Sequence, residues 1–323
     1  MLINNMKIFI KKYLFGIVYR KPLHYFNWIL NKIEPIFSDQ SDKPLRYPPI
    51  FIIGAPRSGS TLLYQVMTEY YDVGYLSNLH CRFYGAASWL ERIVRPLRWR
   101  KPLNFSSRHG VTKGIAAPSE CGEFWYRFFR RKPQYIPIEE ANPRQLRRLR
   151  GAVRALIHAF DKPILFKNMN CALRLHPTAK TLPEALFIVT QRNLLDNAHS
   201  LLEVRKKLHG DYQTWWGMEP PNIDNLTKLS SHEQVIKQVQ DIMELIAIES
   251  NVFGKNKFFY VDYDLFCKNP QYVLNKMDQF FTGHGIVLRK TEGKRLLTFN
   301  KSQSIRIDSA LYEQLQEYID KQK

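Results

Sequence analysis

The stretch PPIFIIGAPRSGSTLLYQVM, residues 48–67, decides the fold. It reads as a short apolar strand, a loop with two glycines and the start of a helix. That is the layout of a phosphate-binding P-loop, G-x-x-x-x-G-K-[ST]. Gly54 and Gly59 have the required spacing, and Thr61 stands at the Ser/Thr position. Ser60 occupies the place of the lysine, and Arg57 lies inside the loop. Backbone N–H groups at a helix N-terminus bind anions without any side chain. In nucleotide triphosphatases the lysine and a magnesium ion neutralise the β- and γ-phosphates. Without that lysine, and with no strand-end Asp assigned to magnesium, the loop suits a group of lower charge than a triphosphate tail. Arg57 can offer it a planar fork of donors.

Outward from the loop, apolar runs bounded by turn residues predict strands at 50–53, 164–166, 185–190 and 257–261. Helical periodicity follows most of them, at 61–71, 195–208 and 271–281, and a longer amphipathic helix over about 231–251 precedes the last strand. Strands alternating with helices predict an α/β fold: a P-loop-type parallel sheet flanked by helices on both faces. Ligands of such sheets sit beyond the carboxyl ends of the strands, where the quoted loop falls. The expected organisation is one domain, residues 47–323, behind a basic amphipathic extension and linker, residues 1–46. There is no internal repeat.

The chain has 323 residues, 45% of them hydrophobic and 13% aromatic, enough to bury a large core. Its net charge of +19 favours anionic partners, although any single basic residue is read first as solvated surface. Cys81, Cys121, Cys171 and Cys267 are far apart and form no zinc-spaced cluster, which predicts thiols in a reducing compartment and a cytoplasmic protein. In MLINNMKIFIKKYLFGIVYRKPLHYFNWILNKI, residues 1–33, cations interrupt every apolar run, so no segment is clean enough to span a bilayer. Two readings stand: a helix lying on an anionic membrane surface, peripheral to its inner face, or a helix packed on the domain.

A second element, ALFIVTQRNLLDNAHSLLEVR (185–205), is a strand leading to Arg192 with Ser200 eight residues later on the following helix. ILFKNMN (164–170) places Lys167 at a strand end, and YVDYDLFCKNP (260–270) carries Tyr263. Together with the loop, these motifs resemble sulfotransferases that use 3′-phosphoadenosine 5′-phosphosulfate (PAPS), over residues 49–283. The resemblance implies that Arg57, Ser58, Gly59, Ser60 and Thr61 hold the 5′-phosphosulfate and that Arg192 and Ser200 hold the 3′-phosphate. It also implies that Tyr263 lies near the adenine and Lys167 near the leaving group. It implies PAPS as donor with no metal required, and a hydroxyl-bearing acceptor, a glycan or glycolipid. A nucleic-acid partner is not implied. Two family features are missing. Met169 stands where the cytosolic enzymes have a catalytic histidine, and the R-K-G-x-x-G loop is absent. The pattern is closer to the carbohydrate, tyrosyl-protein and bacterial members, which take a carboxylate base from elsewhere.

The base candidates are Glu120 first, His80 second and Glu123 third. Glu120 lies in NFSSRHGVTKGIAAPSECGEFWYRFF (104–129), a segment that resembles acceptor-lining segments of bacterial members. The alternative is an ordinary loop leading into a helix capped by Ser119, with Glu123 in support. Trp215 and Trp216 suit either sugar stacking or core packing. The run NPRQLRRLRGAVRAL (142–156) predicts a helix with one solvated cationic face. Two rival classes make distinct predictions. A P-loop kinase with a degenerate loop requires magnesium-dependent ATP binding and leaves Arg192 and Ser200 unexplained. A non-catalytic membrane or nucleic-acid binder explains the charge but not the ordered motifs.

Overall fold

The computed structural model describes residues 21–34, 43–97, 107–108, 111–292, 298–299 and 304–322. In chain order the elements begin with α1 (Lys21–Ile33), β1 (Ile50–Gly54), α2 (Ser60–Tyr70), α3 (Asn78–Arg82) and α4 (Ala87–Val94). A small hairpin, β2 (Ser107–Arg108) and β3 (Val111–Thr112), leads to α5 (Gly122–Trp125) and α6 (Pro143–Phe160). Then come β4 (Leu165–Lys167), α7 (Leu175–Thr181), β5 (Leu186–Gln191), α8 (Leu194–His209) and α9 (Ile223–Leu226). The chain continues through α10 (Ser231–Phe253), β6 (Phe258–Asp262), α11 (Tyr263–Lys268), α12 (Pro270–Gly283) and α13 (Ser309–Asp320).

β4, β1, β5 and β6 form one parallel sheet in that order. Each of the four strands begins within one residue of its predicted start. β1 is buried along its whole length, as a strand covered on both faces must be. Alternation along it divides the core. Ile50 and Ile52 pack with α2 and α12 through Leu63, Met67, Leu274 and Met277. Phe51 and Ile53 face α6, α8 and α10 through Leu149, Leu156, Leu201 and Ile242. On that second face Phe166, Phe51, Phe187 and Phe258 form a row across all four strands, with ring centroids 5.2, 5.6 and 4.8 Å apart. Burying each ring stabilises the sheet by about 1.5–3 kcal/mol. Trp125 of α5 closes the row, 5.7 Å from Phe51 and 5.2 Å from Phe166, and so fixes the segment that precedes it.

For residues 21–34 the packed-helix reading of the N-terminus holds. Asn27 is buried; its Nδ2 donates to the Arg82 carbonyl at 2.8 Å and its Oδ1 accepts from the Gly85 N–H at 2.8 Å. Glu34 pairs with Arg127 in the interior. Residues 1–20 and 35–42 lie outside the described residues. The solvated face expected for α6 is found only at Arg144 and Arg147. Arg148 donates to Asn31, Arg150 grips Glu184 through both nitrogens, and Arg154 donates to the Lys43 and Pro44 carbonyls. These arginines clamp α1 and the strand-leading segment onto the domain, because their forks match carboxylates and carbonyl pairs. Among the described residues no helix is long and apolar enough to cross a membrane. All four cysteines are free thiols.

Candidate active site

The P-loop leaves β1 through Pro56 and turns into α2. Arg57 adopts φ 68°, a left-handed conformation that costs a non-glycine residue of order 1–3 kcal/mol. Its contacts hold it there: Arg57 Nε donates to Ser200 Oγ at 3.0 Å, and Arg192 Nη1 donates to the Arg57 carbonyl at 3.2 Å. Gly59, at φ 92°, is the N-cap of α2, and no side chain among the described residues caps that helix. Its first-turn N–H groups are therefore available to an anion. Ser58 lies behind the loop, with its Oγ 2.6 Å from Thr190 Oγ1.

Arg192 and Tyr263 form the facing wall. The Arg192 guanidinium sits over the Tyr263 ring at 5.0 Å, and its buried Nε has no hydrogen-bond partner among the described residues. Burial, and then the like charge of Arg192, lower the Arg57 pKa. Burial also pushes the Tyr263 hydroxyl up to about 12, so it stays neutral. Two guanidiniums, one with an orphaned donor, and an uncapped helix end offer donors that suit a phosphate-like anion. Tyr263 lies flat against Gly59: a Cβ there would fall 2.0 Å from Tyr263 Cδ2. Gly59→Ala is therefore expected to lower stability by about 1–3 kcal/mol from backbone strain alone. Adding Tyr263→Ala should recover only the part due to the clash. Calorimetric Tm values check this, and an unchanged Tm for Gly59→Ala refutes it.

A cleft of ≈ 410 Å³ runs from this cradle to a second group of residues. Small-molecule sites span about 300–1,000 Å³. Lys167, at the end of β4, is only 3% exposed, so it is no surface cation, and it forms an ion pair with Glu120. Glu120 is about a third open to the cleft, and its other oxygen lies 3.5 Å from the Met169 N–H. Trp125 positions it: the indole, anchored on Phe51 and Phe166, donates Nε1–H to the Glu120 carbonyl at 3.2 Å. Trp216, Gly217 and Met218 roof the cleft over Pro56, held by the buried Gln238, whose Nε2 donates to the Trp216 and Met218 carbonyls.

The structure thus brings Arg57, Gly59, Ser60, Thr61, Arg192, Tyr263, Lys167 and Glu120 to one cleft. Ser58 and Ser200 sit behind it as supports. His80 is not brought there. It is fully buried, closes a capping box with Ser77 at the start of α3, and turns Nε2 to Glu91 at 3.2 Å. Glu123 points away to Arg131. The expected Ser119 cap is also replaced: Cys121, at φ 47°, caps α5, and Ser119 Oγ accepts from the Cys121 N–H at 3.4 Å. Trp215 packs under Arg205 at 5.0 Å, whereas Trp216 both packs against the core and lines the cleft. Gln134 and Asn170 also line it, and the sequence carried no signal for either beyond their polarity.

The fold and site define an α/β domain with a parallel sheet and one cleft in which two arginines and an uncapped helix end lie beside a lysine–carboxylate pair. The model of the Sulfotransferase family matches residues 48–282, and the chain belongs to that family. No curated protein matches it. Solved structures similar to the chain include the sulfotransferase STF9 from Mycobacterium avium: 12% identity, TM-score 0.49, covering 87% of this chain and 69% of that one. STF1 from Mycobacterium tuberculosis H37Rv is 14% identical, with TM-score 0.44 and coverages of 80% and 73%. A sulfotransferase from Alicyclobacillus acidocaldarius is 13% identical, with TM-score 0.43 and coverages of 86% and 93%.

Proposed function

We propose that residues 47–323 form a cytoplasmic sulfotransferase domain that moves a sulfonate from PAPS to an acceptor hydroxyl, of the glycan or glycolipid class, with a peripheral contact to an anionic membrane. The observation that carries the reading is the single cleft in which the Arg57–Arg192 cation pair and the open N-terminus of α2 lie beside the Glu120–Lys167 pair. The orphaned Arg192 Nε supports a phosphate partner there. The strand ends that flank β1 carry Lys167 and Thr190, so the charge offered to the ligand is positive. Trp216 with Gln134 and Asn170 offers a ring face and amides, which supports a sugar-bearing acceptor.

In the reaction the donor's S–O bond to phosphate breaks as the acceptor oxygen bonds to sulfur, and the hydroxyl proton goes to a base. Glu120 takes that proton in our reading. Its carboxylate reaches Met169, the position left without a histidine, from a different segment of the chain. Lys167, Arg57 and the N–H groups of the loop stabilise the charge that collects on the leaving phosphate oxygen.

Ligand-dependent melting tests the donor half. Adenosine 3′,5′-bisphosphate is expected to raise Tm without magnesium, and ATP far less. Arg192→Ala should remove most of that preference, the loss of a charge-assisted contact of about 1.5–3 kcal/mol. Equal stabilisation by ATP and the bisphosphate would favour the kinase reading. Labelled donor incubated with fractionated extracts would identify the acceptor.

A further inference from the structure

Two helices outside the cleft, α1 and α4, share an unusual outer surface. α1 turns Asn27 inward, as does Glu34 just after it, and leaves Tyr25, Phe26, Trp28 and Ile33 exposed. α4 turns Ser88 and Glu91 inward and leaves Trp89 and Ile93 exposed, the latter by 68%. The helices are tied by Ser88 Oγ donating to Glu34 Oε1 at 2.8 Å, and a groove with almost purely apolar walls runs between them past Phe26, Leu30, Ile33, Trp89 and Ile93. Monomeric proteins rarely expose such contiguous apolar surface without using it.

The distribution of charge identifies the occupant. Residues 1–33 contain no Asp or Glu, and Glu91 is the only acid in α4. The first acid of the chain, Glu34, is buried against Arg127, and Glu91 is buried against His80. Both carboxylates of this layer are therefore withdrawn from solvent, while Lys32 and Arg92 stay on the surface. Among the described residues of α1 and α4 the outer face offers indoles, aliphatics and cations, and no anion. A second copy of the chain would set these cations against one another. A free anion would leave the apolar surface wet. An anionic bilayer satisfies both: apolar side chains enter the headgroup–acyl boundary, aromatic rings sit at the interface, and cations meet lipid phosphates.

We propose that the joint outer face of α1 and α4 is a docking surface for anionic lipid bilayers, with Phe26, Trp28, Ile33, Trp89 and Ile93 as the inserting side chains and Lys32 and Arg92 as phosphate contacts. It rests on the peripheral membrane contact proposed above and assigns that contact to a tertiary surface, not to the N-terminal segment alone. It is independent of the chemistry in the cleft.

Co-sedimentation of the full chain with phosphatidylglycerol–phosphatidylcholine vesicles tests it. The chain is expected to bind these vesicles, to bind pure phosphatidylcholine vesicles weakly, and to be released by salt. Trp28→Glu combined with Ile93→Glu should weaken partitioning at least about tenfold, as loss of two inserted apolar side chains demands. Lys32→Glu combined with Arg92→Glu should weaken binding to the anionic vesicles only. All four positions are exposed, and an unchanged bisphosphate-dependent Tm shift confirms that the variants are folded. Full vesicle binding by Trp28→Glu/Ile93→Glu would overturn the surface assignment while leaving membrane contact through residues 1–20. Absence of binding by the unmodified chain would overturn both. Self-association abolished by the same substitutions, without vesicle binding, would assign the face to a second copy.

Discussion

Lys167→Ala is expected to lower kcat by about a hundredfold to a thousandfold, the range found when one preorganised donor to a developing oxyanion is removed. Its effect on the Kd for adenosine 3′,5′-bisphosphate should be small. The reason lies in where the ammonium sits. Lys167 is at the carboxyl end of β4, beside β1, and is nearly fully buried, so its charge acts in a site that excludes most water. In the free protein Glu120 balances that charge. In the proposed reading the phosphate cradle is Arg57, Arg192 and the N-terminus of α2, which follow β1 and β5 and not β4. An interaction made chiefly in the transition state lowers kcat and kcat/KM together and leaves ground-state binding intact. Lys167→Arg should recover part of the rate by keeping a cation. Single-turnover rates and bisphosphate titrations read the two quantities separately. An unchanged kcat would leave Lys167 only as a structural partner of Glu120, and a loss confined to bisphosphate affinity would move it into the donor cradle.

The parts of this site that were legible in the sequence are those set by local spacing. The interval from Gly54 to Gly59 forces a tight turn between a strand and a helix, so the P-loop could be read directly. β-branched and aromatic runs marked the four sheet strands to within one residue. The order of the strands was not legible, because it depends on which helices cover which face. The Glu120–Lys167 pair spans 47 positions and depends on Trp125 seating itself between Phe51 and Phe166. His80 was misread for a physical reason. A Ser-x-x-His sequence before a helix places the imidazole on the N-cap N–H, where Ser77 N–H donates to Nδ1 at 3.1 Å, as a Glu does in the usual capping box. The arginines of α6 looked solvated because periodicity reports which face they share, and not that carbonyls of residues 43 and 44 wait opposite Arg154.

Glu120→Gln is expected to lose at least about a hundredfold in kcat while still binding adenosine 3′,5′-bisphosphate, in line with the loss of a general base. Two explanations predict a slow variant. Glu120 could accept the proton itself, or it could only hold Lys167 in place. The geometry separates the roles by atom: Oε1 engages Lys167, while among the described residues Oε2 has a long contact to the Met169 N–H, and the residue lines the cleft. The amide of Gln can still accept a hydrogen bond from the ammonium through its oxygen, but it cannot take a proton. A positioning role would therefore leave Glu120→Gln substantially active. Glu120→Asp, which shortens the reach without removing the carboxylate, supplies a second readout: it should keep part of the rate that Glu120→Gln loses. An active Glu120→Gln would remove Glu120 from proton transfer. His80, sealed in the core against Glu91, could not replace it without opening the helix that it caps.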